Sequence, residues 1–472
     1  ETIAVSTEVI TWIHSVNNIF SDWQDKSDAH IISNQERMEY ISQLGTAFSE
    51  YRTEVYKKGF SGQKEQAIET ICSFINTIIN ELDNTVQLSK GSNGFYHAYN
   101  TINLDLKSKS ADVKHLDLML EGQVAALSSG QLDIDNVITI LESLFDSKLY
   151  RTDQHSFILY PEKDTTPFLK KNIIQPQSIS KSRLLTTLLQ KKDFTLIEKD
   201  AGEQIRFRPH FRNAFDLQAA LHQLKNNEDY RNLVEQEQDL VLKIFEEVFD
   251  HRNYTGRSGM MFSYEGIGSI YWHMVSKLLL AVQENYFLSI RMNEPIEKVK
   301  KLGQLYYDIR SGLSAEKSPQ EYGAFPFDPY SHTPAHSGAQ QPGMTGQVKE
   351  EILTRFGELG CLVVQGRVKF EPRLLKRNEF LTKERVFEYY DVFQQEQLLT
   401  IQKDQLAYTF CQVPVIYTLS DTESRIILDN KDGSSIELES NRIDENQSNH
   451  IFNRDNRIKQ VNLFIHTKSL FD

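Results

Sequence analysis

Glu265 closes a run, His251 to Gly266, that sets three glycines and two arginines ahead of an apolar helical stretch. Glycines let the chain turn tightly and uncover backbone N–H groups, and a helix start adds the positive end of a dipole. Such a place suits an anion or the hydroxyls of a polar ligand. The same dipole would favour the charge on Glu265; read plainly, the run is a helix start with an acidic first turn. A second stretch, Glu321 to Gln347, carries Asp328 between Phe327 and Pro329, followed by Tyr330, His332, His336, Thr345 and Gly346. A loop of this length inside a compact domain is usually functional or disordered, and its aromatic content argues against disorder. Apolar neighbours would raise the Asp328 carboxyl towards a working acid. The plain alternative is a cover packed by its own rings. Glu265 and Asp328 are therefore the candidate acids, with Glu321 and Asp216 behind them.

Three further clusters matter. Asn93 to Asn100, NGFYHAYN, combines aromatic faces with amides, the composition of a saccharide subsite; Tyr96 and His97 are its leading residues. An aromatic-rich helix connection would look the same. Arg206 to Asn213 sets three arginines around His210, which suits a phosphate or carboxylate clamp or simply a strand with local ion pairs. In His115 to Gly130, Asp117 and Glu121 fall four apart, as paired acids on one helix face would. Trp272 and His273 lie on an apolar helix; a histidine just off such a stripe is more often a satisfied core residue than a ligand. HExxH, paired CxxC, GxSxG and P-loop signatures are all missing, so metal, serine-hydrolase and nucleotide-hydrolase chemistry has no support in the sequence.

Helices must position these groups. Apolar residues recur at helical spacing over 67–82, 134–145 and 267–288, with similar patterns at about 7–24 and 34–57, and Asp133 or Asp135 suits the cap of the second. Residues 151–212 read as a small β insertion, SFILYP, FTLIEKD and QIRFRPHF being strand-like, with a hairpin turn at Asp200–Glu203. One more helix follows at 348–356. From Gly360 the chain turns to strands, with Asn430–Gly433 as a hairpin turn. The expected organisation is a mainly α body over 1–358 and a β-sheet domain over 359–472.

The chain has 472 residues and a formal net charge of −13. That charge argues against a nucleic-acid partner and against an anionic membrane surface. No apolar run reaches membrane-spanning length. Cys72, Cys361 and Cys411 are too few and too scattered for a disulfide framework or a metal signature. A cytoplasmic or periplasmic protein without metal or organic cofactor is expected, with a homodimer left open.

Ser337 to Gln347, SGAQQPGMTGQ, together with Gly366 to Pro372 and Arg257 to Tyr264, resembles the inverting disaccharide phosphorylases of the cellobiose and chitobiose phosphorylase family over roughly residues 210–380. The resemblance implies an (α/α)6-type helical barrel followed by a C-terminal β-sheet domain. It implies inverting cleavage of a glycosidic bond in a disaccharide or oligosaccharide, with inorganic phosphate as co-substrate. Thr345 and Gly346 then fall on the family's phosphate-contacting pair, Arg257, His273 and His336 complete the anion site, and Tyr264, Trp272, Tyr330, His332 and Gln347 join Tyr96 and His97 on the sugar. The family's Trp-Asn-flanked catalytic aspartate loop has no counterpart here, which leaves a hydrolase or a non-catalytic saccharide-binding scaffold as alternatives. Loops 93–100, 254–265 and 321–347 are expected to meet at one mouth of the barrel.

Overall fold

The computed structural model describes the chain except residues 30–31, 99, 117, 162–169, 250–269, 271, 314–315, 317–344, 423 and 472; for 24–29 and 345–348 it describes the helical backbone alone. Two compact units emerge, one of Glu1–Leu159 with Ile270–Asp472, the other of Tyr160–Ser269.

The first unit begins with β1 (Thr2–Ser6), α1 (Thr7–Ala29), α2 (Asn34–Lys58), β2 (Gln63–Ala67) and α3 (Ile68–Leu88). Strand β1 pairs antiparallel with β2, so the start of α1 lies beside Gly62 and the start of α3 beside Glu1, at opposite ends of the pair. A capping box at Ser33 and Glu36 starts α2 by satisfying two of its free N–H groups. Ile13, Val16, Phe20, Ala47 and Phe74 form the core of the three helices. The chain continues through β3 (Asn100–Asp105), β4 (Ser110–His115), α4 (Leu120–Ser128), α5 (Ile134–Phe145), β5 (Tyr150–Arg151) and β6 (Ser156–Phe157). Helix α5 follows its sequence pattern: Asp133 accepts from Asn136 N at 2.7 Å, and Ile134, Val137, Ile140, Leu141 and Leu144 are buried. Each such side chain contributes about 1.5–3 kcal/mol when fully buried. Residues 1–150 are thus not helical throughout. The β3–β4 hairpin is largely exposed, so packing leaves little imprint on its sequence. His115 ends β4 and the following helix begins only at Leu120, so no single helix runs from 115 to 130.

The second unit contains α6 (Pro176–Lys181), α7 (Arg183–Lys191), β7 (Ile197–Lys199), β8 (Ile205–Phe207), α8 (Ala214–Leu224) and α9 (Glu228–Phe249). Strands β7 and β8 pair antiparallel. Asp200 accepts from the N–H groups of Gly202 and Gln204 at 2.8 and 2.9 Å, which closes the turn between them. Leu184, Leu185, Leu188, Phe207, Leu217, Val234 and Val241 are among the residues of a continuous core.

The first unit resumes where Ile270 bridges Ile158 antiparallel. Helices α10 (Trp272–Arg291), α11 (Ile296–Arg310) and α12 (Thr345–Leu359) come next. Helix α10 packs on α4, α11 and α12. Two hairpins follow, β9 (Cys361–Val364) with β10 (Arg367–Phe370) and β11 (Arg385–Tyr390) with β12 (Glu396–Ile401). Strands β13 (Gln405–Phe410), β14 (Val413–Ser420), β15 (Arg425–Asn430), β16 (Ser435–Leu438) and, after α13 (Glu445–Asn453), β17 (Ile458–His466) build a five-stranded sheet in the order β13-β14-β17-β15-β16. Only β14 and β17 run parallel in it. Leu359 of α12 lies in the same apolar core as this sheet, and Tyr417 Oη donates to the Leu359 carbonyl at 2.7 Å. The chain therefore has a helical part and a C-terminal sheet domain, as its sequence leads one to expect.

Candidate functional site at the head of α10 and α12

Helix α10 carries more buried polar residues than a plain core helix: Ser276, Gln283, Asn285 and Ser289 are all inside. Helix α12 mirrors it with Glu350, Thr354 and Glu358, four residues apart each time and so stacked on one face. Between these faces the structure builds two distinct polar clusters.

The first lies at the head of both helices. His273 Nε2 stands 3.4 Å from Glu350 Oε2, and Lys349 Nζ is 3.7 Å from the other oxygen of that carboxylate. Glu350 is only 5% exposed. Trp272, which precedes His273 in α10, is buried, and Ser276 Oγ donates to the His273 carbonyl at 2.9 Å. Thr345 and Gly346 form the first turn of α12. At a rise of 1.5 Å per residue, that turn sits about 7 Å along the axis from Glu350. The contact therefore brings His273 towards the positive end of α12, where free N–H groups and the dipole favour an anion.

The second cluster lies deeper. Glu358 accepts from Tyr306 Oη at 2.5 Å, pairs with Arg310 Nε at 2.9 Å, and accepts from an Arg355 guanidinium nitrogen at 2.7 Å. Arg355 also reaches Glu379 at 2.6 Å. Gln283 Nε2 donates to the Thr354 carbonyl at 2.8 Å, and the absence of a side chain at Gly357 is what admits Gln283 there. Burial, and Glu358 beside it, hold the Tyr306 hydroxyl well above its usual range. Burial works against the Arg310 charge, yet Glu358, Tyr306 and Glu351 together outweigh it and the pKa ends raised. Two guanidinium groups face two carboxylates, so the charges balance. This cluster fixes α11 against α12 and offers no unsatisfied group to a substrate.

Tyr96 and His97 lie on a different element. Gln123 of α4 clasps the Tyr96 backbone in both directions, accepting from its N–H at 2.9 Å and donating to its carbonyl at 2.8 Å. The Tyr96 ring is buried and the hydroxyl pKa is raised by burial, then by Asp133. His97 stacks on His115 with centroids 4.2 Å apart, and His115 Nδ1 lies 2.7 Å from Asn100 Oδ1. Burial and then His97 lower the His115 pKa. Tyr96 thus fills a core position, and the partly buried His97 is the member of this pair with a face to offer.

Of the residues singled out from the sequence, His273 adjoins Glu350, Trp272 precedes it as a buried residue at the start of α10, and the backbones of Thr345, Gly346 and Gln347 start helix α12. Glu265, Asp328, Arg257, Tyr264, Tyr330, His332 and His336 lie outside the described residues. The Arg206–Asn213 stretch resolves as ion pairs: Arg206 with Asp200 at 2.7 Å, Arg208 with Glu198 at 2.9 Å and Arg212 with Asp216 at 3.0 Å. Its arginines are matched one to one, and Asp216 is held below its usual range, first by its bond from Arg212. Glu350 and Glu358 were missed by sequence reasoning. The signal was present, since both stand at i, i+4 positions where an apolar stripe would be expected.

Residues 165–252 match the family model described as GH149 phosphorylase insertion domain 2. Over that segment the chain resembles a glycoside phosphorylase family. The matched stretch falls within the second unit, the part that interrupts the first between Leu159 and Ile270. A search of curated proteins gives no match. Among the described residues, no helix is long and apolar enough to cross a membrane.

Proposed function

We propose that the protein cleaves a glycosidic bond by phosphorolysis with inversion, on a helical barrel of the (α/α)6 type. The observation that carries this reading is the phosphorylase insertion-domain match, in a segment bracketed by the Ile158–Ile270 bridge. The start of α12 beside His273 supports it, because a glycine-bearing helix N-terminus next to an imidazole suits a phosphate.

In this reading a phosphate oxygen attacks the anomeric carbon from the face opposite the leaving sugar. The C–O bond to that sugar breaks, its oxygen takes a proton from a carboxylic acid, and a sugar phosphate of inverted configuration forms. Glu265 or Asp328 supplies the proton. Thr345, Gly346, Arg257, His273 and His336 hold the phosphate, and His97, Tyr264, Trp272, Tyr330, His332 and Gln347 hold the saccharide; Tyr96, a core residue, stands behind His97 in the chain. Phosphate is itself the nucleophile, so the reaction needs one carboxyl group where an inverting hydrolase needs two. No cofactor other than inorganic phosphate enters.

The test is incubation with a panel of disaccharides and oligosaccharides, with and without phosphate, followed by phosphorus NMR for sugar 1-phosphate. Thr345→Val should raise the KM for phosphate several-fold and leave the KM for sugar unchanged. Cleavage at the same rate without phosphate would make the protein a hydrolase. No cleavage under either condition would favour a saccharide-binding scaffold.

A further inference from the structure

A cleft of about 980 Å³ lies between the α10–α11 turn and the C-terminal sheet, within the first unit. Its charges do not balance. The two carboxylates lining it are already engaged, Glu294 with Lys298 at 3.3 Å and Glu371 with Lys369 at 2.8 Å. Arg425 lies over the Phe464 ring and 3.5 Å from Glu437. Lys300, Arg373 and Lys468 also line the cleft, and among the described residues none of their side chains has an ion-pair or hydrogen-bond partner. Three unmatched cations converging on one hollow is unexpected in a chain of net charge −13, whose remaining surface repels anions. Asn293 and Ser469 line the cleft with their side-chain groups unengaged among the described residues, and so does the half-buried Phe471 ring, while Tyr286 and Phe370 are buried at its edge.

We propose that this cleft binds a phosphate monoester of a small polyhydroxy compound. The cations take the phosphoryl group, the arginine as a fork and the lysines as point charges. Asn293 and Ser469 take hydroxyls, and the Phe471 ring takes the apolar face of the carbon skeleton. The volume exceeds what a bare phosphate fills and lies at the upper end of small-molecule sites. The proposal does not depend on the protein being a phosphorylase.

The test is isothermal titration of the full chain with glucose 1-phosphate, glucose 6-phosphate, inorganic phosphate and glucose, at two salt concentrations. Arg373→Gln and the double variant Lys300→Gln/Lys468→Gln are compared with the unaltered protein. These side chains are exposed, so the variants should fold, and a melting curve checks this. The expected result is binding of at least one sugar phosphate that is about tenfold or more weaker in each variant, with glucose silent and inorganic phosphate weaker than the ester. Equal affinity in all three proteins would assign the binding to another site and overturn the proposal. So would no binding of either ester, or inorganic phosphate binding as tightly as the esters.

Discussion

Replacing Glu358 with glutamine tests whether the deep cluster holds α11 to α12. The carboxylate side chain is only 2% exposed and takes bonds from Tyr306, Arg310 and Arg355. The amide keeps the shape and one acceptor but turns an NH2 towards a guanidinium group. Two charge-assisted bonds are compromised, each with a net contribution of about 1.5–3 kcal/mol. The Arg355 share is discounted, because its side chain is 37% exposed and keeps Glu379. Arg310, at 18% exposed, keeps only the more remote charge of Glu351 and loses most of the amount. The expected loss is about 3 kcal/mol, at the lower end for breaking a buried pair. All three tryptophans, Trp12, Trp23 and Trp272, belong to the first unit, so urea unfolding followed by tryptophan fluorescence reports this unit. The midpoint should fall with the slope unchanged. Arg355→Met should cost less, about 1 kcal/mol. A loss below about 1 kcal/mol for Glu358→Gln, or a larger one for Arg355→Met, would refute the reasoning.

Alkaline pH should destabilise the first unit. Burial raises Tyr286 to about 12, and holds Tyr306, Tyr408 and Tyr417 well above the usual tyrosine range. The folded state then keeps protons that the unfolded state loses above its ordinary pKa near 10. Stability is full below pH 10 and falls as pH rises towards 12, by about 1.4 kcal/mol per pH unit for each such tyrosine. Absorbance at 295 nm should show the buried tyrosines ionising only together with unfolding; free titration of all 20 near pH 10 in the folded protein would contradict this. Gly122→Ala would set a methyl group 2.5 Å from the Tyr96 carbonyl, backbone that cannot swing aside. A loss of about 1–3 kcal/mol is expected by chemical denaturation, and an unchanged midpoint would show that the Tyr96 loop is not clasped to α4. In the proposed reaction, Glu265→Gln or Asp328→Asn should lower turnover by roughly 10²–10⁴ with the melting temperature unchanged; full activity in both would move the acid to Glu321.

The sequence made the helices legible where one face alone is apolar. Ile134 to Phe145 shows both its stripe and its Asp133 cap, and the structure keeps both. The hairpin at Asn430–Gly433 was equally plain, because Asn430 N bonds to the Ser434 carbonyl and Gly433 takes a φ of 89°. The β11–β12 hairpin was not plain. Its strands pack on one another and are largely exposed, so the apolar alternation that burial imposes is weak. Unit boundaries were harder still. Residues 160–269 form a unit of helices and one hairpin, and nothing local distinguishes α8 and α9 from helices of the larger unit. What separates them is which apolar faces meet, a long-range property that composition does not record.

The site was legible in part for a related reason. Thr345 and Gly346 stood out through the phosphorylase resemblance, and the structure places their backbone at the start of α12. Glu350 did not, because its meaning depends on α10 lying beside α12 and bringing His273 to 3.4 Å. The four-residue spacing of Glu350, Thr354 and Glu358 nevertheless carries a lesson about buried charge. A carboxylate on the inner face of a helix is costly unless partners meet it. Finding two at that spacing announces that cations and donors wait on the facing helices. Here Arg310 and Tyr306 answer Glu358, whereas among the described residues Glu350 faces a histidine and a more distant lysine. The better-satisfied carboxylate is the structural one. The less satisfied one stands at the helix end where a ligand would enter, which is the end the proposed phosphate site occupies.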